Sequence, residues 1–332
     1  MSTAKRHHTV PQFYLRGFAD EQQIATVRLP GEVRFVQSVR KAASETNFYA
    51  VEGHVDGPDV FEKLLSALEG EAAGVFEIIQ GGRWPLEPEQ RTTLAHFIAL
   101  QAVRGPDHRR NMEHVVSQMT RLEIGAGGRA AVKDWMARNR GLDITDEQAG
   151  AVWEEATRPD GPPIRLSPIA HVRQMADLVD ELLPYIASRP WTLVRFDKRS
   201  LITSDAPVGL VPHPDSERWE GVGFMTAWGI TYPLTRKLGL LMSDPMVFAD
   251  IVPVEQVRAG QLDHAELGTT AMERFFNNLT VDAASEWLYH HPEDERFVPA
   301  DLPQPNPVTM RMMGGPAEFS GEPLFRPRRD PS

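Results

Sequence analysis

Between residues 60 and 80 the apolar positions Val60, Leu64, Leu65, Leu68, Ala72, Val75, Phe76 and Ile79 recur at spacings of three and four. That period marks one buried helical face. It returns after Pro88, with Leu94, Phe97, Ile98 and Ala102 turned inward. Pro88 suits a first helical turn, where its missing N–H costs nothing, and Gly105 with Pro106 ends the segment just after Arg104. The pattern predicts further helices over about 108–123, 129–140, 145–157 and 168–187. Gly125 to Arg158, rich in glycine and charge with exposed-looking tryptophans, reads as peripheral.

Alternation replaces the helical period elsewhere. Residues 24–29 and 33–36 flank Pro30 and Gly31, which predicts an N-terminal β-hairpin. Beyond Pro190, residues 191–196 and 201–203 read as two strands about a turn at 197–200. Residues 229–234 and 237–242 read as two more, turning at Thr235 and Arg236. These predict a small antiparallel sheet of about four strands over residues 191–242, packed against the helices. Helical pattern resumes over 254–276, and a short terminal helix is expected over 282–290, with Asp282 in its first turn. The proline-rich segment 303–332 is expected to be an extended or disordered tail. The fold class that results is α+β, mainly helical. One globular domain is expected over 1–302, carrying a helical insertion at about 108–160.

Composition narrows the chemistry. With 41% hydrophobic and 24% charged residues the chain can fold into an ordinary core. It has no cysteine, which removes disulfides, thiolate nucleophiles and iron–sulfur clusters and leaves His, Asp, Glu or Asn to hold any divalent metal. A net charge of -11 argues against a generic grip on nucleic acid, although Arg104, Arg109 and Arg110 supply positive charge locally. Met1 to His8 has two positive charges and no apolar run behind them, and no segment approaches the roughly 20 apolar residues of a membrane span. A cytoplasmic protein without membrane contact is the expectation.

Several segments carry a resemblance. They are residues 5–18 with His7, His8, Val10, Pro11 and Tyr14; Asn47 to Tyr49; Glu62 and Glu69; Phe97 to Arg104 with Pro106; Leu201 to Val208; Tyr232 to Leu234; and Asn277 with Asn278. Together, over roughly residues 5 to 290, they resemble the recurring blocks of a widespread bacterial family, domain of unknown function 4238. The resemblance implies a shared fold and a set of suspect residues, but no reaction.

The suspects divide between chemistry and structure. Neutral imidazole at His8 suits a metal ligand or a general base, or it bonds a backbone carbonyl and anchors the N-terminus. His7 is a candidate substrate contact, but two adjacent side chains on an extended segment face opposite ways. Asp205 ends a predicted strand in Ser204-Asp205-Ala206-Pro207, where its carboxylate either joins His8 as a metal ligand or acid–base partner or accepts backbone N–H bonds. If Asp205 only holds its turn, substitution by Asn is expected to be nearly silent. Ser204 lacks a nucleophile elbow and is kept as a substrate contact. Arg104 either clamps a phosphate or closes its helix. Glu69 supports the site or sits on a solvated rim. Asn278 joins a polar cluster or caps a helix, and His290 with His291 reads as surface. Two functions remain open. One is a hydrolase acting on a phosphorylated or phosphodiester substrate, possibly metal-dependent, with a small phosphorylated molecule or nucleic acid as ligand. The other is a non-catalytic sensing or scaffolding module whose polar cluster is structural. Catalytic groups should line an open pocket, and structural ones should be sealed and hydrogen-bonded.

Overall fold

Helices form along the apolar periods, and the side chains of Thr145, Ser167 and Thr269 accept backbone N–H bonds at the starts of three of them. In the computed structural model, which describes residues 6–46, 48, 60–217, 220–306 and 318–324, the strands are β1 (Arg6–His8), β2 (Gln23–Arg28), β3 (Val33–Ser38), β4 (Ser44–Thr46), β5 (Trp191–Arg195), β6 (Thr203–Ser204), β7 (Gly209–Val211), β8 (Gly229–Thr235), β9 (Leu238–Met242), β10 (His264–Leu267) and β11 (Trp287–His290). The helices are α1 (Gln12–Leu15), α2 (Val60–Gln80), α3 (Pro88–Val103), α4 (Pro106–Gly127), α5 (Val132–Arg140), α6 (Asp146–Ala156), α7 (Pro168–Ala187), α8 (Val254–Arg258) and α9 (Thr270–Ala283). Pro88 opens α3, and Glu87 with Gln90 closes a reciprocal capping box. Pro106 opens α4 rather than only ending α3. No described helix is long and apolar enough to cross a membrane.

By internal contact the chain forms two compact units, residues 1–108 with 167–307, and residues 109–166 with 308–332. The first contains a five-stranded sheet in the order β10-β5-β9-β8-β7 and a four-stranded sheet in the order β3-β2-β11-β6. A short ribbon joins β1 to β4. Among the described residues all strand pairs are antiparallel except β10 with β5. The core gathers Phe76 of α2, Phe97 of α3, Trp191, Tyr232 and Phe276 around the N-terminal turn. There Val10, Leu15 and Phe18 are fully buried, each such side chain contributing about 1.5–3 kcal/mol. Beneath Trp191 lies a buried ion pair. Arg91 Nε donates to Asp263 Oδ2 at 2.7 Å while its other nitrogens reach the carbonyls of Ala187 and Arg189. The guanidinium lies 4.0 Å from the centre of the Trp191 ring.

In the second unit Ile124, Val132, Ala149, Trp153 and Ala156 make a small core. Trp153 is therefore not one of the exposed tryptophans expected here. Within the proline-rich segment, Phe319 packs on that core beneath the Arg121 guanidinium, 5.0 Å from its ring centre. Arg129 N donates to Gly321 O at 2.8 Å and Leu324 N to Ala126 O at 2.9 Å. Gly125 is required where the phenyl ring crosses α4, since a Cβ would lie 2.4 Å from ring carbons.

Three expectations about the strands are corrected. Residues 201–203 do not return alongside 191–196; β5 pairs with β9, and β6 joins the other sheet through β11. The physical reason is Asn277, whose amide takes the Ile202 N–H and the Ser200 carbonyl in place of a neighbouring strand. The helix expected over 254–276 breaks after α8 at Gly260, which has φ +80°. β10 then runs beside β5, and α9 restarts at Thr269, whose side chain accepts from Met272 N. The terminal helix expected over 282–290 is instead strand β11, paired on both sides. Its Trp287 and Tyr289, aromatic residues two apart, fit a pleated surface better than a helix. The N-terminal hairpin forms, as β2 and β3, but as the edge of this larger sheet.

Candidate functional site

Arg104 brings two of the suspects together. It closes α3 as the C-cap residue and is buried, with its Nη1 donating to Glu69 Oε1 at 2.8 Å and its Nη2 to the His8 carbonyl at 2.9 Å. The helix-closing and ion-pairing roles coexist. The His8 ring lies 3.1 Å from the Arg40 carbonyl, so the imidazole also holds backbone. A cavity of about 290 Å³ opens beside them, lined by His8, Gln12, Arg16, Ser66 and Glu69. His7 is buried in β1 and His8 is half-buried, as the alternation of an extended segment requires. The side chain of Glu62 falls outside the described residues.

Asp205 belongs to a different set of bonds. Its Oδ1 accepts from Ser285 N at 2.9 Å, and its Oδ2 accepts from Glu286 N at 2.9 Å and Trp287 N at 3.1 Å. The carboxylate thus gathers the chain entering β11 and sets β6 against it. Burial, with the nearby charge of Asp107, pushes this carboxyl up to about 7, opposed by the three backbone donors that favour its ionised form. Ser204 is buried and its Oγ accepts from Ala206 N at 3.2 Å. Tyr14 extends the same logic: its hydroxyl donates to Pro233 O and shares a hydrogen bond with Thr203 Oγ1, each at 2.7 Å. Asn278 is exposed within α9, neither between helices nor a cap. The buried amide is its neighbour Asn277, which binds Ile202 N, Ser200 O, Glu273 Oε1 and Phe297 O. His290 and His291 are buried rather than on the surface, the first with its Nδ1 2.8 Å from His291 O and the second accepting from Glu293 N. Among the described residues no three His, Asp or Glu side chains are placed to hold a metal ion.

The groups with unspent chemistry lie elsewhere. At the end of β5 a cavity of about 670 Å³ is lined by Arg195, Lys198, Arg199 and Arg296, with Asp197 as its carboxylate. Lys237 fixes the turn by donating its Nζ to the carbonyls of Arg199 at 2.7 Å and Asp197 at 3.3 Å. Gly268 closes the far wall against Phe196, whose ring a Cβ would meet at 2.3 Å, and donates its N–H to Arg195 O. Arg199 makes a long ion pair with Glu273 at 3.6 Å, while Arg195, Lys198 and Arg296 pair with no carboxylate among the described residues. Burial, then the charge of Arg236, lowers the Lys237 ammonium below its ordinary value. A second cavity of about 870 Å³ adjoins the first, sharing Arg199, Arg296 and Phe297. From sequence, Arg195 reads as part of a strand and Lys198 and Arg199 as turn residues. The available signal was three of them within five positions, Arg195, Lys198 and Arg199, in a chain of net charge -11.

The blocks behind the resemblance are therefore the ones that interlock: Tyr14 with Thr203 and Pro233, Arg104 with Glu69 and His8, Asn277 with Ser200 and Ile202. No curated protein and no solved structure matches the chain. A family model described as "Protein of unknown function (DUF4238)" matches residues 6–294, and the chain belongs to that family.

Proposed function

We propose that the chain binds a small phosphorylated ligand in the cavity lined by Arg195, Lys198, Arg199 and Arg296. The observation that carries this reading is that three of those four cations have no carboxylate partner among the described residues, on a protein that is otherwise acidic. Four cations held around a cavity whose lining carboxylate is Asp197 repel one another, and an anion relieves that repulsion. Guanidinium forks suit phosphate oxygens. The ligand class is the one expected from the sequence, with the site moved from Arg104 and Asp205 to the end of β5. Arg104, Glu69, Asp205 and Asn277 then serve the scaffold that holds the cavity open. Hydrolysis of a bound ester would draw on Asp197 at the cavity wall, and Asp197→Asn separates turnover from binding.

Calorimetric titration of the full chain with inorganic phosphate and pyrophosphate, at low and at high salt, tests the reading. Binding should weaken with salt, and Arg195→Gln with Lys198→Gln together should weaken it at least tenfold with an unchanged melt. Absence of binding by the wild type, or full retention by the double variant, would overturn it.

A further inference from the structure

The two adjoining cavities differ in the charge they leave unpaired. The first presents Arg195, Lys198 and Arg296, and the second adds Asp282, Asp301 and the exposed amide of Asn278. Asp282 and Asp301 are exposed and pair with no cation among the described residues, and the one cation the second cavity adds is Arg274. Glu273, also at its wall, is already engaged by Asn277 at 2.7 Å and Arg199 at 3.6 Å. Arg199 and Arg296 stand between the two, lining both.

We infer that the two cavities form one bipartite site for the phosphate monoester of a sugar or nucleoside, with the phosphate among Arg195, Lys198, Arg199 and Arg296 and the hydroxyl-bearing body against Asn278, Asp282 and Asp301. The inference rests on the phosphate-binding reading and deepens it. A chain of phosphates running through both cavities would bring its second charge against Asp282 and Asp301, where like charge is unfavourable. Hydroxyl groups carry the reverse preference, since carboxylates accept hydrogen bonds from vicinal hydroxyls, as they do from a ribose in dinucleotide sites. The second cavity, at about 870 Å³, falls in the range of sites that enclose small organic ligands. A linear polyphosphate or a nucleic-acid backbone fits this polarity poorly, and a monoester with one anionic end fits it well.

The test is calorimetric titration of the full chain with inorganic phosphate, tripolyphosphate, ribose 5-phosphate, a nucleoside monophosphate and phosphoethanolamine. Ribose 5-phosphate or the nucleoside monophosphate should bind at least tenfold more tightly than inorganic phosphate, and the ratio between those two tells which body the second cavity takes. Asp282→Asn with Asp301→Asn should remove at least fivefold of that gain while binding inorganic phosphate no more weakly. Both side chains are exposed, so the fold should be unaffected. If inorganic phosphate binds but the sugar ester gains nothing, or the double variant keeps the gain, the bipartite site is overturned and phosphate binding stands. Tripolyphosphate or phosphoethanolamine binding more tightly than the sugar ester would also overturn it, pointing to a polyanion or to an amine. No binding by any phosphate probe removes both readings.

Discussion

Replacing Asp205 by Asn tests whether this carboxylate holds the fold. An isosteric amide looks harmless at a turn, but the structure gives it three donors to satisfy. Two N–H groups, of Glu286 and Trp287, reach Oδ2, and the Ser285 N–H reaches Oδ1 at 2.9 Å. The best Asn rotamer puts its oxygen at the Oδ2 position and turns its own NH₂ against the Ser285 N–H, so that this buried donor loses its acceptor. That loss costs about 1–3 kcal/mol, and the two remaining bonds lose their charge assistance. We expect Asp205→Asn to lower stability by about 2–4 kcal/mol at pH 8, where the folded carboxyl is ionised, measurable by urea unfolding followed by circular dichroism. The pH dependence has a definite sign. The folded carboxyl is raised from its ordinary value to about 7, so between about pH 4 and 7 the native state holds a proton that the unfolded chain has released. Wild-type stability from this group is complete below the unfolded value and is lost as pH rises towards 7. The gap between wild type and variant should therefore be wider at pH 5 than at pH 8. A variant as stable as wild type at both values would refute the reasoning, and a gap constant above pH 5 would mean the group stays ionised.

Arg104→Lys removes the fork that spans Glu69 and the His8 carbonyl, and should cost about 1–3 kcal/mol in urea unfolding; no change would mean that a point charge suffices. Arg91→Met leaves Asp263 charged and buried, an arrangement that costs about 3–5 kcal/mol, and adding Asp263→Leu should recover much of it in the same melts. Phe319→Ala should cost the 109–166 unit about 1–2 kcal/mol, and faster amide exchange in α5 and α6 is the readout. A chain ending at Leu302 should show the same acceleration, and equal exchange rates would mean that Phe319 contributes nothing.

How much of this was legible depends on how local its cause is. The helices at 60–80 and 88–103 follow from apolar spacing and a proline at the first turn, both local facts. The β8–β9 pairing follows from two alternating runs around a tight turn. β11 misleads because Asp282 looks like a helix start and because its partners, β2 and β6, come from remote parts of the chain. The β6 strand, only Thr203–Ser204, is too short to show any period.

The candidate site shows the same division from another side. Ser204, Asp205 and Pro207 read as a turn, but the sequence does not show how many N–H groups arrive from 80 to 82 positions away. That number decides between a group available to a substrate and one consumed by its own fold. The reverse holds for Arg195 at a strand end and Lys198 and Arg199 in the turn after it, which look like ordinary solvated positions until Arg296 arrives at the same cavity, where Asp197 is the lining carboxylate. A polar side chain buried in satisfied bonds does structural work, whereas cations gathered in excess of their counter-charge remain able to bind. By that criterion the phosphate site we propose lies at the end of β5, while Arg104, Asp205 and Asn277 are consumed in holding the fold.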